Sequence, residues 1–481
     1  MASATPDLPY KMHVTPDNTG LWRIKQTEEA ARKVSELLQV DMEKHHVFFN
    51  DDGFHNHIPH HILALYGTGA SPSALQAAYD DNTSYQRPVL PPHTSSTSST
   101  TTATTATPTA PPTFHPWPSA AAPYLSNGTY YPDFLRFFQA EIRSHNNSWQ
   151  AVVSKYLFSP DKTGDELYIR LFAGLLHPLI QLMYGVEWSQ EAVVAEGLAQ
   201  AAVHEGKVIG EGYLLPAERL AAAFVAASAS SSTSTTPSSK DKGESIVDLL
   251  EAVRADKELV GSVRNEDGNK IRDGVLARAR ERMLAIAARV RVVPEEGEVR
   301  KRTAEMFDAA VLVAGAAALV KEGEKQPKFD FFLMHHVNAS PFFVTLVQQD
   351  WIPVEAKARL LEWKIRMDLL QYVARGSPEL SLEKLVNYTP RKPDVGGSLE
   401  EIVRRLHTVH DDGHAIKLGR AAVICRELCK PYETEADWLK VKGDDVWEKV
   451  CHLIVDSVEA PGPRWVRSCG FDEAWKEVPN L

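Results

Sequence analysis

The chain has 481 residues, 43% of them hydrophobic, and its 52 basic and 63 acidic residues give a net charge of -11. This length suffices for one large core or for two to three ordinary ones. Because the negative balance is spread without long runs of charge, it excludes a phosphate-binding surface as the main function, so nucleic acid is not an expected partner.

Targeting signals and disulfides are also not expected. The first residues, MASATPDLPYKMHV, contain neither a basic segment nor an apolar one, and no later run reaches the ~18 apolar residues of a membrane span. We therefore expect a soluble, cytoplasmic protein without a membrane partner. Four cysteines are too few for a disulfide framework, and buried thiols are the expected state for Cys425, Cys429, Cys451 and Cys469.

Helical periodicity runs through most of the sequence. Alternating strand patterns bounded by hairpin turns are almost absent, and no repeat of fixed period is visible. We predict an all-α, multi-helix fold of roughly 12 to 16 helices, forming a single domain over residues 1–481. The clearest helical patterns cover residues 22–45, 165–185, 190–206, 299–323, 353–376, 413–429 and 435–458.

The first notable motif is GFHNHIPHHILALYG, residues 53–67, which leads four histidines into an apolar helix. Pro59 suits the first turn of that helix. His57 and His61 share a face if the helix reaches back to His57, and His57 with His60 is the competing pair. One alternative is a metal site, to which a single histidine pair would contribute only half of the ligands. The other is that these histidines cap the helix or fill the core.

Two tracts rich in serine, threonine and proline interrupt the helical patterns. They cover residues 87–123 and 227–243. Such tracts cannot bury enough apolar surface to offset the entropy of ordering their backbone. We predict two disordered, low-complexity insertions without functional residues.

His177 lies in a helical pattern that is apolar nearly all round, residues 165–185. Its predicted face carries the small residues Ala173 and Gly174 together with Gln181 and Tyr184, as a helix that lines a ligand cavity requires. Pro178 removes one backbone hydrogen bond and predicts a kink. The alternative is a buried histidine bonded to a backbone carbonyl.

Two further histidine motifs follow in the second half of the chain. FDFFLMHHVNASPFF places His335 and His336 before a helix start at Ser340–Pro341, one of them facing inward and the other outward. HDDGH, residues 410–414, spaces two histidines four residues apart ahead of an amphipathic helix, which is also the pattern of a polar helix start.

Lys364 stands on the inward face of the helix predicted over residues 353–376, beside Leu360, Met367 and Gln371. A buried ammonium is costly, and desolvation makes the neutral amine accessible. One interpretation is an ion pair with Asp368 one turn on, or a stem that reaches solvent. The other is that the neutral amine takes up carbon dioxide and becomes a carbamate, an anionic oxygen ligand.

Together these motifs resemble the questin oxidase-like family of fungal secondary metabolism. The resemblance rests on GFHNHIPHHILALYGTGAS, HPLIQLMYG, FFLMHHVNAS, WKIRMDLLQYVARG and HDDGHAIKLGRA, in this order and over nearly the whole chain. It implies an oxidoreductase that opens the central ring of anthraquinones, built as a multi-helix bundle that encloses a central cavity for metal and substrate. Family members are described as NADPH-dependent Baeyer–Villiger monooxygenases and as non-haem iron dioxygenases with four histidines and a carboxylated lysine.

Carried over by residue, the resemblance implies an Fe(II) site, a lysine carbamate formed from carbon dioxide, and dioxygen with a small aromatic polyketide as reactants; NADPH is a candidate reductant. The implied metal ligands are one or two of His57, His60 and His61, with His57 or His61 favoured, and His177, His335, His414 and carbamylated Lys364. His336 is implied to be a bystander and His204 a residue behind the ligands. An octahedral ion with five such ligands keeps one position open.

Other roles are assigned by residue type. We expect Asp412, Asp368 or His60 to move protons. Aromatic side chains suited to a planar substrate are Tyr66, Tyr184, Phe332, Trp351 and Trp363. No glycine-rich loop after a strand is visible, so a nicotinamide or flavin held in the usual way is not expected. Rival hypotheses are a metal-dependent helical His/Asp phosphohydrolase, suggested by HDDGH, and a catalytically silent helical binding protein.

Overall fold

The computed structural model describes residues 8–93, 112–231, 243–434 and 436–481. Within these ranges the chain forms twenty α-helices and isolated β-bridges but no strand, which confirms the all-α class. Their number exceeds the prediction because several helices have only four to seven residues. The described residues group into two compact units, and the single-domain prediction stays a prediction.

The N-terminal unit comprises Met1–Gly20, Lys25–Tyr66 and Ser71–Gly206. Its helices are α1 (Glu28–Lys44), α2 (Ile58–Gly67, whose last residue belongs to the other unit), α3 (Pro72–Thr83), α4 (Tyr131–Ser144), α5 (Trp149–Val153), α6 (Lys162–Leu171), α7 (His177–Glu187) and α8 (Glu191–Val203). Side-chain caps define several helix starts. Thr27 accepts a hydrogen bond from the Ala30 amide, and α1 begins after it at Glu28, six residues later than the predicted pattern.

Helices α7 and α8 form a tight hairpin that places the start of α7 beside the end of α8. A Cβ on Gly185 would lie 2.6 Å from the Val194 amide nitrogen, and one on Gly197 would lie 2.8 Å from the Leu182 amide nitrogen. The two backbones are therefore in direct contact, and any larger residue at these positions would force them apart. Helix α4 packs on the same helix α8.

The predicted helix over residues 165–185 is wrong as one helix. It divides into α6 and α7, whose axes bend by 77° at the break. Gly174, Leu175 and Leu176 all have positive φ, which ends helical geometry before His177. Ala173 and Gly174 therefore do not share a helix face with His177. Pro178 lies in the first turn of α7, where its missing amide proton is tolerated, and does not kink a continuous helix.

The C-terminal unit comprises Leu21–Ile24, Gly67–Ala70 and Lys207–Leu481. Its helices are α9 (Leu215–Ser231), α10 (Ile246–Ala255), α11 (Lys257–Val260), α12 (Arg280–Ala287), α13 (Glu296–Ala318), α14 (Phe331–Ala339), α15 (Pro341–Val347), α16 (Val354–Ala374), α17 (Leu382–Val386), α18 (Leu399–Arg404), α19 (His414–Cys429) and α20 (Asp444–Glu459). Helix α13, rich in small buried residues, packs against α14, α16 and α19.

One helix prediction in this unit is confirmed over nearly its whole length and another only in part. The predicted helix over 353–376 is confirmed as α16, with its whole predicted apolar face and Lys364 buried. The pattern over 435–458 starts too early, because residues 436–443 form turns and α20 follows Gly443, whose φ is +85°. His335 and His336 are both buried, so the expectation that one faces outward is wrong.

The predicted insertions are shorter than proposed. Phe114 is buried and stacks on Phe134 at 4.2 Å, and Trp117 packs on Phe138 and Tyr156, so part of the first tract packs against the aromatic core of the N-terminal unit. Helix α9 continues through Ser231. Residues 94–111 and 232–242 of these tracts lie outside the described residues.

No single helix of the described ranges is both long and apolar enough to cross a bilayer. Two consecutive helical segments, Thr163–Leu171 and Gly174–Glu187, together have the length and apolar composition of a membrane span, but they are bent by 77°. The cytoplasmic location stays a prediction.

Candidate functional site

Two buried histidines of the N-terminal unit face each other through their Nε2 atoms. His57, just before α2, and His177, the first residue of α7, have these atoms 2.8 Å apart. Nδ1 of His177 lies 2.7 Å from the Gly174 carbonyl oxygen and donates its proton there. A neutral imidazole with a protonated Nδ1 carries its lone pair on Nε2, so His177 directs that lone pair at His57.

A second pair, which the sequence did not predict as a pair, adjoins the first. His55 and His204 have Nε2 atoms 2.7 Å apart, and Nδ1 of His204 donates to the Gln200 carbonyl oxygen at 2.9 Å. The His55 ring stacks on the His177 ring at 3.8 Å with an interplanar angle of 4°. Burial lowers the pKa of the His204 imidazole to about 4, so this side chain is neutral at pH 7. His204 thus contacts His55, whose ring stacks on the predicted ligand His177, and its implied role behind the ligands stays a prediction.

Gly174 lies in contact with both histidine pairs. A Cβ at this position would lie 2.2 Å from Nε2 of His204 and 3.0 Å from Nε2 of His55, and the φ of +52° is strained for any other residue. Its carbonyl group meanwhile holds His177. The small residue that the sequence associated with a cavity face therefore makes room for imidazole rings.

The extended His55–Asn56–His57 segment alternates its side chains. Asn56 donates to both carboxylate oxygens of Asp41 at 2.9 and 3.0 Å, and its own oxygen accepts the Ile58 amide proton at the start of α2. Because successive residues of an extended segment point to opposite sides, fixing Asn56 on one side fixes both histidines on the other. Asp41 and Asn56 are contributors that sequence reasoning missed.

His60 and His61 occupy other positions in the N-terminal unit. Nε2 of His60 lies 2.5 Å from the side-chain oxygen of Gln181, and the side-chain nitrogen of Gln181 donates to Glu196 at 2.9 Å. The His60 ring also stacks on Tyr184. His61 is buried, and a ligand role for it stays a prediction.

The C-terminal unit contains a histidine pair of the same kind. His335 in α14 and His414 at the start of α19 have Nε2 atoms 3.0 Å apart. Nδ1 of His335 donates to the Phe331 carbonyl oxygen at 2.5 Å, and Nδ1 of His414 donates to the Asp412 carboxylate. Both Nε2 atoms therefore present lone pairs to each other, an arrangement that a shared cation or an added proton stabilises.

The HDDGH motif explains how His414 is placed. Gly413 adopts φ +85°, which turns the chain into α19, and Asp411 accepts the Gly413 and Ala415 amide protons at 2.8 Å. Asp412 is left to bind the imidazole of His414. The same motif is thus a polar helix start and a histidine-orienting device. His410, its first residue, is exposed.

Lys364 is fully buried, with Nζ 2.6 and 2.7 Å from the two carboxylate oxygens of Asp368. Nδ1 of His336 lies 2.5 Å from the same carboxylate. Burial lowers the pKa of the Lys364 ammonium and outweighs the opposing attraction of Asp368. His336 and Asp368 also line a cavity of about 20 Å³, enough for one water molecule, among aliphatic side chains of α10, α13, α14 and α16.

The predicted aromatic residues are distributed over both units. Tyr184 stacks on His60, and Phe332 lies under the Arg375 guanidinium at 4.0 Å. Tyr66 is fully buried and donates to the Thr15 carbonyl oxygen, and Trp363 is fully buried beneath Arg359. Trp351 is half-buried and donates to Gln349. Substrate contact by any of them stays a prediction.

Imidazoles with this orientation fit a transition-metal ion. Two nitrogens that bind one ion at about 2.1 Å and at a right angle to each other lie about 3.0 Å apart, close to the 2.8 and 3.0 Å of the two predicted ligand pairs. Metal-bound histidines also typically donate the other ring proton to a carbonyl or carboxylate oxygen. His177, His335 and His414 all do so.

Comparison with known proteins decides the family. The model of the family described as questin oxidase-like matches residues 54–422. The chain belongs to the questin oxidase-like family. This membership confirms the resemblance seen in the sequence and the predicted enzyme class, an oxidoreductase.

Relatives of this questin oxidase-like chain match it along almost its whole length. A Baeyer–Villiger oxidase of Pestalotiopsis fici is 32% identical over 98% of both chains. A Baeyer–Villiger monooxygenase of Cryptosporiopsis is 34% identical, over 97% of this chain and 98% of its own, and the questin oxidase of Aspergillus fumigatus is 35% identical over 94% of both chains. The family match contains all predicted ligands but ends before residues 423–481.

Proposed function

We propose that this chain is a non-haem iron-dependent oxygenase that cleaves a ring C–C bond of a hydroxylated anthraquinone, or of its hydroquinone, with a Baeyer–Villiger-like outcome in polyketide secondary metabolism. Family membership and the relatives named questin oxidase and Baeyer–Villiger oxidase support the ring-opening chemistry. The reactants would be dioxygen and a small aromatic polyketide.

One observation carries the metal-dependent part of this proposal. Nε2 of His335 and Nε2 of His414 lie 3.0 Å apart while both Nδ1 atoms donate to oxygen, so two lone pairs converge. Imidazole nitrogens suit Fe(II), which when bound would supply electrons to dioxygen and orient the reactants. His57 and His177 offer the equivalent pair in the N-terminal unit. That both pairs serve a single ion stays a prediction from the resemblance.

Lys364 is proposed as the anionic ligand, in the form of its carbamate. Full burial favours the neutral amine, which is the form that reacts with carbon dioxide. Asp368 binds this side chain and is itself bound by Nδ1 of His336. The ion pair with Asp368, the other interpretation from the sequence, is the arrangement of the unmodified lysine.

The remaining polar residues would bind, orient and move protons. Asp412 keeps the His414 ring in one tautomer. Asp412 and Asp368 are the carboxylates beside the predicted ligands, and His60, linked through Gln181 to buried Glu196, is the third candidate for proton transfer. Burial raises the pKa of Glu196 to about 8, so this carboxyl group holds a proton at pH 7.

The proposal is tested with purified full-length protein. Elemental analysis should find iron, and dihydroxyanthraquinone should be consumed together with dioxygen. Labelling with ¹⁸O₂ then separates the alternatives: two labelled atoms in the product indicate a dioxygenase, whereas one labelled atom and a requirement for NADPH indicate the monooxygenase. Phosphate ester hydrolysis without oxygen uptake, or a protein without metal and without turnover, would contradict the proposal.

Single variants assign the metal to its ligands. His177→Ala and His335→Ala each remove one member of a pair, and His145→Ala removes a half-buried histidine of neither pair. If the wild type holds one iron per chain, and His177→Ala and His335→Ala each abolish its binding, the two pairs share one ion. Two ions lost one at a time would show that each pair binds its own.

A further inference from the structure

A C-terminal segment outside the family match lies against the start of α14. The Phe331 amide donates to the Val466 carbonyl oxygen at 2.8 Å, and the Val466 amide donates to the Phe329 carbonyl oxygen at 3.1 Å. Asp330, whose other carboxylate oxygen caps α14, accepts the Cys469 amide proton at 2.8 Å. These backbone contacts fix residues 465–469 next to the helix that carries His335.

Two side chains of this segment flank the His335–His414 pair. The Trp465 ring lies 6.3 Å from the His414 ring, and the Arg467 guanidinium lies 4.8 Å above the Phe331 ring. Phe331 in turn contacts both imidazoles, with ring centroids 4.6 Å from His335 and 5.1 Å from His414. Val466 between them is buried, whereas Trp465 is partly exposed and Arg467 is exposed.

Trp465 and Arg467 differ from nearby arginines, whose side chains form hydrogen bonds within the fold. Arg464 donates to the His410 carbonyl oxygen and Arg375 to Ser468. Arg467 is exposed and, within the described ranges, forms neither an ion pair nor a hydrogen bond. Trp465 is partly exposed, and its indole N–H likewise has no acceptor among the described residues. A planar cation and an indole donor thus remain available beside the pair.

We propose that Trp465 and Arg467 are specificity-determining residues that bind a planar aromatic oxyanion next to His335 and His414. This inference rests on the proposed function and specifies its substrate as an ionised phenol rather than a neutral ether. The aromatic plane packs on Trp465 and Phe331, and the guanidinium binds the phenolate oxygen, a pairing that arginine makes better than lysine because its planar fork both stacks and donates two parallel hydrogen bonds.

The test measures binding rather than turnover. The full chain, as purified, is titrated without dioxygen with 2,6-dihydroxyanthraquinone and with its dimethoxy counterpart, which cannot ionise. Arg467→Ala should weaken binding of the dihydroxy compound about tenfold and leave the dimethoxy compound unchanged. Arg467→Lys should give an intermediate loss. Trp465→Ala should weaken both compounds, and Trp465→Phe should retain most of the affinity for both.

Arg391→Ala is the matched control, since it removes an exposed arginine of the same unit at a position with no contact to either histidine. Thermal unfolding midpoints verify that each variant folds. Equal affinity of wild type and Arg467→Ala for the dihydroxy compound would overturn the inference and leave the proposed function intact. Failure of the wild type to bind either compound would overturn the substrate class and, with it, this inference.

Discussion

The carboxylate of Asp412 accepts the Nδ1 proton of His414 and thereby leaves the lone pair of that imidazole on Nε2, facing His335. The relationship makes Asp412 a positioning residue whose effect can be separated from that of a ligand. A carboxylate behind a metal-bound histidine both fixes the ring and raises its basicity.

Asp412→Asn should therefore lower metal affinity about 10- to 100-fold without abolishing binding. Competition between the protein and a chelator of known affinity measures this change directly. Asp394→Asn, which removes one exposed carboxylate of the same unit, should leave affinity unchanged. A metal affinity for Asp412→Asn equal to that of wild type would show that the carboxylate only supports the helix start.

Lys364→Ala should lose metal and turnover, with partial recovery in millimolar concentrations of a short carboxylic acid that occupies the vacated space. The matched control is Lys357→Ala, since Lys357 is a second buried lysine of α16, paired with Glu296. Incubation with ¹³C-labelled bicarbonate and ¹³C NMR of the wild type should show a carbamate signal that Lys364→Ala lacks. Unchanged turnover in Lys364→Ala would exclude a ligand role.

Gly174→Ala should destabilise the protein by about 1–3 kcal/mol, because the new methyl group collides with His204 at a backbone conformation that alanine tolerates poorly. Chemical denaturation measures the loss. Gly297→Ala is the control: its Cβ would meet nothing within 4 Å in the first turn of α13, so that variant should be as stable as wild type or slightly more so. A fully stable Gly174→Ala would show that the His55–His204 pair readily moves.

Glu196→Gln should make stability less dependent on pH. Burial, with a smaller contribution from Asp41, raises the pKa of the folded carboxyl to about 8, above the unfolded value of about 4.3. Between these values only the folded state holds the proton, so stability is fully present below about pH 4 and falls as pH rises to about 8. The variant should exceed wild type at pH 8 by a few kcal/mol, on the order of 1.4 kcal/mol per unit of pKa difference, and the excess should shrink towards pH 5.

Glu211→Gln, an exposed change of the same kind, should follow the wild-type curve in that comparison. Parallel unfolding curves of wild type and Glu196→Gln from pH 5 to pH 8 would show that Glu196 is ionised in the folded protein.

The sequence by itself determined the helical class, the buried lysine of α16 and the histidines from which the candidate site is assembled. These features follow from local rules: apolar residues at a spacing of 3.6 mark one helix face, and a lysine among them points inward. Cap residues such as Thr27 and the turn at Gly413 are equally local.

Tertiary structure decided the pairing. His204 was visible only as a histidine at a helix end, and nothing local relates it to His55, 149 residues earlier. The break between α6 and α7 also escaped the pattern, because an apolar run reads alike whether it is one buried helix or two. Trp465 and Arg467 lie beside the start of α14 because the backbone of Val466 pairs with Phe329 and Phe331. Such contacts depend on which surfaces meet after collapse, and the periodicity of a single segment carries no information about its partner.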